Sequence, residues 1–191
     1  IEHGKELIVL DRPNPLGGEK IEGCLVEDGY ISFVSQFKIP YLYGQTPGEL
    51  ALYLNATDYE NKCNLTVVKM KGWERDMTWD ETGLEWVVAS PHVPHGQSAI
   101  FYPVTGIFGE FGYISIGVGY TLPFEVMGAP WISADTLAEA MNALELPGLE
   151  FRPIYYKPYY STFQGELCQG VQIHILDYEK ARLSEVQFLV V

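Results

Sequence analysis

The sequence predicts a mixed α/β fold with more strand than helix, and three observations carry that expectation. A continuous apolar run, Glu6 to Leu10, feeds a loop of two prolines and two glycines, Asp11 to Gly18. Buried strands of open α/β sheets end this way, and ligands bind at that edge. Thr46-Pro47-Gly48-Glu49 combines a capping hydroxyl, a proline at the first helical position and a glutamate that closes a capping box. From Leu149 onward three segments of strand length follow, LEFRPIYY, GVQIHIL and VQFLVV.

Taken in order, Glu6–Leu10 reads as a strand buried on both faces and as the last strand of a preceding doubly wound domain. Residues 1–18 therefore form the end of a truncated Rossmann-like domain, and residues 19–191 a mixed α/β C-terminal subdomain. Residues 31–39 are short and extended. The helix opened by Thr46 carries Leu50, Leu52 and Leu54 and ends at Asn55. Asn64 to Met70 is a strand, and residues 71–86 form a long ordered loop rich in Trp, Asp and Gly. Ser98 to Tyr102 is expected as a short strand. Gly106 to Gly119 holds five glycines, too many for a helix interior. Ser133 opens a second helix with Leu137, Met141 and Leu144 on one face, stopped by Pro147-Gly148. The chain starts at Ile1 with neither a Met nor a leader pattern and ends on apolar residues. Both features are read as marks of an internal fragment, truncated at its C-terminus as well.

Charge narrows the function. The formal net charge is −13, with 12 basic residues among 25 acidic ones, so no basic patch is expected for nucleic acid or an anionic membrane. No apolar run reaches the ~18–20 residues of a membrane span. Cys24, Cys63 and Cys168 are odd in number and lack a CxxC, which argues against a disulfide framework or a zinc site. No GxSxG, P-loop, HExxH or dinucleotide-binding glycine pattern occurs.

Loop aromatics are the main chemical signal. Trp73, Trp79, Trp86, Tyr43 and Tyr102 offer apolar faces with polar tips, suited to stacking on sugars; each is equally read as an anchor for a long loop. Asp80 and Glu81 are adjacent and point apart, so turn or cap roles outweigh a carboxylate pair. Glu110 is a better lone carboxylate, weighed against a solvated loop position. His92 and His95 lack a third metal ligand nearby, and His174 reads as a sheet-face histidine.

Seven segments then point to one family: VLDRPNPLGG (9–18), IPYLYGQTPGELALYLN (39–55), LTVVKMKGWERDMTWDETGLEWV (65–87), SPHVP (90–94), IFYP (100–103), PFEVMGAPWI (123–132) and GELCQGVQIHI (165–175). In these stretches the chain resembles the NamZ-type exo-β-N-acetylmuramidases of bacteria. The resemblance implies two subdomains with a cleft between them, and exo-acting hydrolysis that releases terminal N-acetylmuramic acid or a related amino sugar from peptidoglycan-derived saccharides. It implies no metal or other cofactor, and an exported location. It implies a catalytic glutamate in a PEHG-like motif well upstream of DRPNP; Glu2-His3-Gly4 mimics that motif at the wrong spacing and is read as a helix end. It implies Tyr102 as the second catalytic residue, since a neutral phenol avoids repulsion with an anionic sugar, as in sialidases. Asp11, Arg12, Asn14, Tyr43, Thr46, Trp73, Arg75, Ser90, His92, Glu110 and Ser115 are the implied substrate-binding set.

One stretch departs. The family pattern EGTNxSEGRGTTRPFE is here EFGYISIGVGYTLPFE (110–125). Tyr113, Ile116, Val118 and Leu122 stand where the pattern has Asn, Glu and two Arg, which removes charge-assisted contacts to an anion. A non-catalytic carbohydrate-binding or cell-envelope paralogue is therefore the second reading.

Overall fold

The computed structural model describes residues 3–57 and 62–190; the helix end read at residues 1–2 lies outside them. The fold is mixed α/β, with parallel and antiparallel pairing. Contacts divide the chain into two units, Ile1–Glu85 and Trp86–Val191.

In the first unit β1 (Glu6–Leu10), β2 (Ile21–Glu22), β3 (Leu42–Tyr43), α1 (Pro47–Thr57) and β4 (Asn64–Val68) follow in order. β1 and β4 run parallel, Glu6 opposite Asn64 and Leu10 opposite Val68, and α1 packs on both. The strand and loop set apart as residues 1–18 thus sit in a unit that continues to Glu85. β1 is a strand but not a buried one: Leu7, Ile8 and Leu10 are 50%, 56% and 70% exposed. Its one neighbour is β4, so much of its apolar surface stays uncovered among the described residues. Residues 31–39 form no strand; Ser32 and Ser35 close a tight turn. The capping box forms as expected. The Thr46 amide donates to Glu49 Oε2 at 3.0 Å, and the Glu49 amide donates to Thr46 Oγ1 at 3.2 Å. Asn55 does not end α1, which continues to Thr57. Instead its side chain clasps both backbone groups of Cys63, donating to the carbonyl and accepting from the amide.

The second unit holds α2 (Gly96–Phe111), β5 (Val126–Ala129), α3 (Ala134–Asn142), β6 (Leu149–Tyr156), β7 (Cys168–Ile175) and α4 (Val186–Leu189). β7 lies between β5 and β6, antiparallel to both. α3 packs on β6 and β7, and Asn142 holds the Phe151 amide and carbonyl. Met127, Met141, Val171, Ile173 and Leu183 are fully buried and form the centre of the core.

Three expectations are corrected here. Ser98–Tyr102 is helix, not strand, and the glycine-rich stretch stays helical to Phe111 before Gly112 ends it in the left-handed region. VQFLVV contains the short helix α4, not a strand, because Val186 and Gln187 are buried against α2. With two strands replaced by helix, the surplus of strand is gone. Packing overrides propensity in α2. Each helical glycine costs roughly 1 kcal/mol against alanine, yet a Cβ at Gly109 would come within 2.5 Å of the Ile116 side chain. The glycine lets the end of the Ile116 side chain lie close against the helix.

α2 also contains Pro103, which removes one backbone donor from the helix interior. The buried Gln187 reaches into this turn. Its Nε2 donates to the Pro103 carbonyl at 3.2 Å, and its Oε1 accepts from the Ile107 amide at 3.1 Å. Those two backbone groups are partners in an ideal helix. Gln187→Ala removes both bonds and leaves a small void, so it is expected to lower stability by about 2–3 kcal/mol. The readout is the urea midpoint at unchanged slope, with exposed Gln97→Ala as a control staying within about 0.5 kcal/mol.

Candidate functional site

A pocket of about 260 Å³ opens within the second unit. One wall is a stripe of α2. Tyr102, Gly106, Gly109 and Glu110 line it, at the i, i+4, i+7, i+8 spacing of one helix face. His92, Ser115 and Val118 line it too. The structure thus brings together four residues expected from sequence: His92, Tyr102, Glu110 and Ser115.

Each is held differently. Tyr102 is 46% exposed, its ring packed edge-on against Phe124 at 4.9 Å between centroids. His92 stacks on Tyr160 at 6.0 Å. Glu110 is exposed at the far end of the helix. Ser115 is 1% exposed; its amide and carbonyl pair with Gly128, and its carbonyl also accepts from the Tyr156 hydroxyl. The Ser115 Oγ itself is shielded from solvent and has no hydrogen-bond partner. A buried hydroxyl left unpaired is costly.

Backbone strain concentrates in the same place. Phe124 and Ser161 both line the pocket and both adopt left-handed φ, 71° and 70°. Such conformations persist where surroundings over-determine them and gather at ligand sites. Phe124 is fixed by a bond from its amide to the Ile116 carbonyl at 2.7 Å and by the buried Thr105 hydroxyl, which donates to its carbonyl at 2.9 Å. Glu125 follows, 7% exposed, with Oε1 3.9 Å from His95 Nε2. His95 caps α2, its Nδ1 accepting from the Ser98 amide at 3.3 Å. His95 is therefore a helix cap and not half of a metal pair.

In the first unit, the expected residues form an internal network. The Asp11 carboxylate accepts from Thr46 Oγ1 at 2.8 Å, the Gly48 amide at 2.8 Å and the Arg12 amide at 3.0 Å. It caps α1 and complements the positive end of its dipole. Gly48 is required there, since a Cβ would meet the carboxylate and Val67 within 3 Å. Asn14 donates to the Gln45 carbonyl and accepts from the Leu16 amide. Arg75 bridges the Gly18 and Gly44 carbonyls and pairs with Glu49 at 2.6 Å. Trp73 packs beside Gly18, with its indole N–H buried and unpartnered. Tyr43 lies in β3 opposite Ile21, and the Arg12 side chain is exposed. In the second unit Ser90 bridges to Val93, and its Oγ accepts from the His92 amide at 3.5 Å. Glu81 serves as a cap: its carboxylate takes the Thr78 amide and hydroxyl, which hold its pKa below the ordinary range.

Sequence reasoning missed Phe124, Glu125, Ser161 and Thr162. The one signal for them was His95 three residues before Ser98, an N-cap pattern hidden by reading Ser98–Tyr102 as strand. Burial pushes the Glu125 carboxyl up, partly opposed by the charge of His95. A carboxyl with a raised folded pKa binds more protons folded than unfolded. Its contribution is thus most favourable at low pH and declines as pH rises from about 4.5 through the raised value. Glu125→Gln is expected to flatten that decline, gaining stability relative to the parent protein as pH rises from 4 to 7. The check is urea unfolding across that range; a constant difference between the two proteins removes the burial effect.

Comparison with known proteins agrees with this architecture. The model of the exo-β-N-acetylmuramidase NamZ N-terminal domain matches residues 1–97, and the C-terminal model residues 100–191. The chain is 46% identical over 179 residues to the peptidoglycan β-N-acetylmuramidase NamZ of Bacillus subtilis (strain 168), covering 94% of this chain and 43% of that protein. Crystal structures of two DUF1343 family proteins from Bacteroides fragilis NCTC 9343 superpose on it. One has a TM-score of 0.96 at 63% identity, covering 99% of this chain and 50% of that one. The other has a TM-score of 0.69 at 26% identity, covering 90% and 44%. The chain spans less than half the length of its Bacillus relative. With matches to both domain models running through the pocket and the capped loop, the chain belongs to the exo-β-N-acetylmuramidase NamZ family.

Proposed function

We propose that this chain forms part of an exo-acting glycoside hydrolase that releases terminal N-acetylmuramic acid or a related amino sugar from peptidoglycan fragments outside the cytoplasm. The observation that carries the reading is the pocket on α2, where a half-exposed tyrosine and a carboxylate line one cavity. Tyr102 acts as nucleophile or as an electrostatic equivalent at the anomeric carbon. Its edge-on contact with Phe124 fixes the ring, and its hydroxyl has no hydrogen-bond partner among the described residues.

Glu110 does not serve as its acid/base partner. Eight residues of helix separate them, about 12 Å along the axis at 1.5 Å per residue. Retaining glycosidases place their two groups ~5–5.5 Å apart. Glu110 suits a substrate hydroxyl at the far end of the pocket, and the general acid/base comes from outside this chain. Asp11, Asn14, Thr46 and Arg75 shape the first unit's loop from within; Arg12 keeps an exposed guanidinium for a ligand. Val118 in the pocket wall, where the family pattern has Arg, favours the second reading, a carbohydrate-binding paralogue without turnover.

On this reading, the 191-residue chain alone releases no sugar from a chromogenic N-acetylmuramide, whereas the full-length protein does. In that protein Tyr102→Phe lowers kcat on the order of 100-fold or more with little change in KM. Steady-state kinetics on the chromogenic glycoside decide it. Turnover by the chain alone overturns the external acid/base, a loss confined to KM makes Tyr102 a binding residue, and an inactive full-length protein supports the paralogue.

A further inference from the structure

We infer that Tyr160 forms a stacking platform at the rim of the pocket for the second pyranose ring of a saccharide, the ring that leaves when the terminal sugar is released. This rests on the sugar-binding reading above and adds a subsite to it. Tyr160 is 48% exposed, and its ring stacks on His92 with 28° between the planes. His92, Ser161 and Thr162 line the pocket. The tyrosine thus stands beside the cavity, joined to it through one lining ring and the two residues that follow it. His92 lies just before the start of α2, toward the Tyr102 end of the stripe and away from Glu110. A leaving group departs from the anomeric carbon, where Tyr102 acts on this reading, so the second ring belongs on that side.

The loop that carries Tyr160 is built to present it. Pro158 is fully buried, and Phe163 packs against Val126, Tyr156 and Cys168 in the core. Between these two anchors Tyr159 and Tyr160 reach solvent. The Tyr159 amide donates to the Gly119 carbonyl at 2.7 Å, and the Gly165 amide closes the loop on the Pro158 carbonyl at 2.8 Å. Gly119 has no room for a Cβ, which would collide with the Tyr160 carbonyl. Ser161 and Phe163 both adopt left-handed φ, 70° and 62°, a strain that such surroundings must hold. A tyrosine fixed in this way has two side-chain torsions to order and gives up little freedom on binding. Its complement is a β-linked glucosamine-type ring. With its substituents equatorial, that ring turns axial C–H bonds outward as an apolar face, which rests on an aromatic surface. The pocket, at about 260 Å³, falls just below the ~300–1,000 Å³ usual for small-molecule sites. It suits the terminal ring alone and leaves the next one at the rim.

The test uses the full-length protein and two probes joined through sulfur at the anomeric carbon, so that neither is hydrolysed. One is the methyl β-thioglycoside of N-acetylmuramic acid; the other is the same sugar thio-linked β-1,4 to N-acetylglucosamine. Calorimetric titration is expected to show the disaccharide binding tighter than the monosaccharide. Tyr160→Ala weakens the disaccharide about tenfold, equivalent to about 1.4 kcal/mol, and leaves the monosaccharide unchanged. Tyr160→Phe keeps most of the affinity, because the ring face remains. Tyr159→Ala, at the more exposed neighbour, changes neither probe. In the parent protein, NMR saturation of the aromatic protons is transferred to the axial protons on one face of the glucosamine ring, a readout that needs no variant. Five outcomes overturn the platform and leave the pocket reading standing: a disaccharide no tighter than the monosaccharide, a Tyr160→Ala loss shared equally by both probes, no loss at all, an equal loss in Tyr159→Ala, or saturation confined to the muramic ring. A parent protein that binds neither probe overturns both.

Discussion

Pro103 removes a hydrogen-bond donor from the middle of the helix that carries the pocket, and in the next turn the buried amide of Gln187 bonds both the Pro103 carbonyl and the Ile107 amide. The stripe that lines the pocket runs through this turn. Tyr102 lies one residue before the proline, Gly106 and Gly109 lie beyond it, and Glu110 ends the stripe. An interior proline without compensation kinks or breaks a helix at a cost of ~3 kcal/mol. A kink here would move Tyr102 relative to Glu110 and tilt the glycine face away from Ile116. In the short helix α4, Val186 sits in the core and Gln187 spans one turn of α2.

The opposite wall is fixed by a second set of internal bonds. Thr105, on the buried face of α2, donates to the carbonyl of Phe124, and the Phe124 amide donates to Ile116. These bonds hold Phe124 in the left-handed region, from which its ring meets Tyr102 edge-on. His95 caps the start of the same helix and faces Glu125, the next residue after Phe124. Helix start, helix middle and strained turn are therefore tied to one another. A left-handed phenylalanine costs of order 1–3 kcal/mol, and these contacts offset it. A preformed aromatic wall costs the ligand no ordering on arrival.

Where the sequence was legible, local chemistry decided the outcome. The capping box of Thr46 and Glu49 formed because both partners lie within one turn. β6 and β7 formed because their alternation met antiparallel neighbours. Ser98–Tyr102 and Val186–Leu189 misled because short apolar runs fit either period, and the deciding contacts lie some eighty residues away, between α2 and Gln187. The glycines of α2 misled for a related reason: their propensity cost is local, and the close approach of Ile116 to Gly109 is not. Within the site, Tyr102, His92, Glu110 and Ser115 could be named from sequence. The wall at Phe124 and Ser161 could not, since no pattern announces a left-handed phenylalanine or serine.

The first unit shows how motif residues can be indispensable without touching a ligand. Asp11 accepts three hydrogen bonds, from Thr46, Gly48 and Arg12, and so fixes the join between β1 and α1. Asn14 and Arg75 tie the loop that follows to the residues just before α1, and Arg75 pairs with Glu49 inside the helix. Gly48 has no room for a Cβ between the Asp11 carboxylate and Val67. A substitution in this set would register first as lost order in residues 11–18, whatever its effect on sugar binding. A carboxylate with three protein donors has little capacity left for substrate. The motif therefore divides by hydrogen-bond satisfaction: Asp11, Asn14 and Arg75 build the loop, while the Arg12 side chain stays exposed.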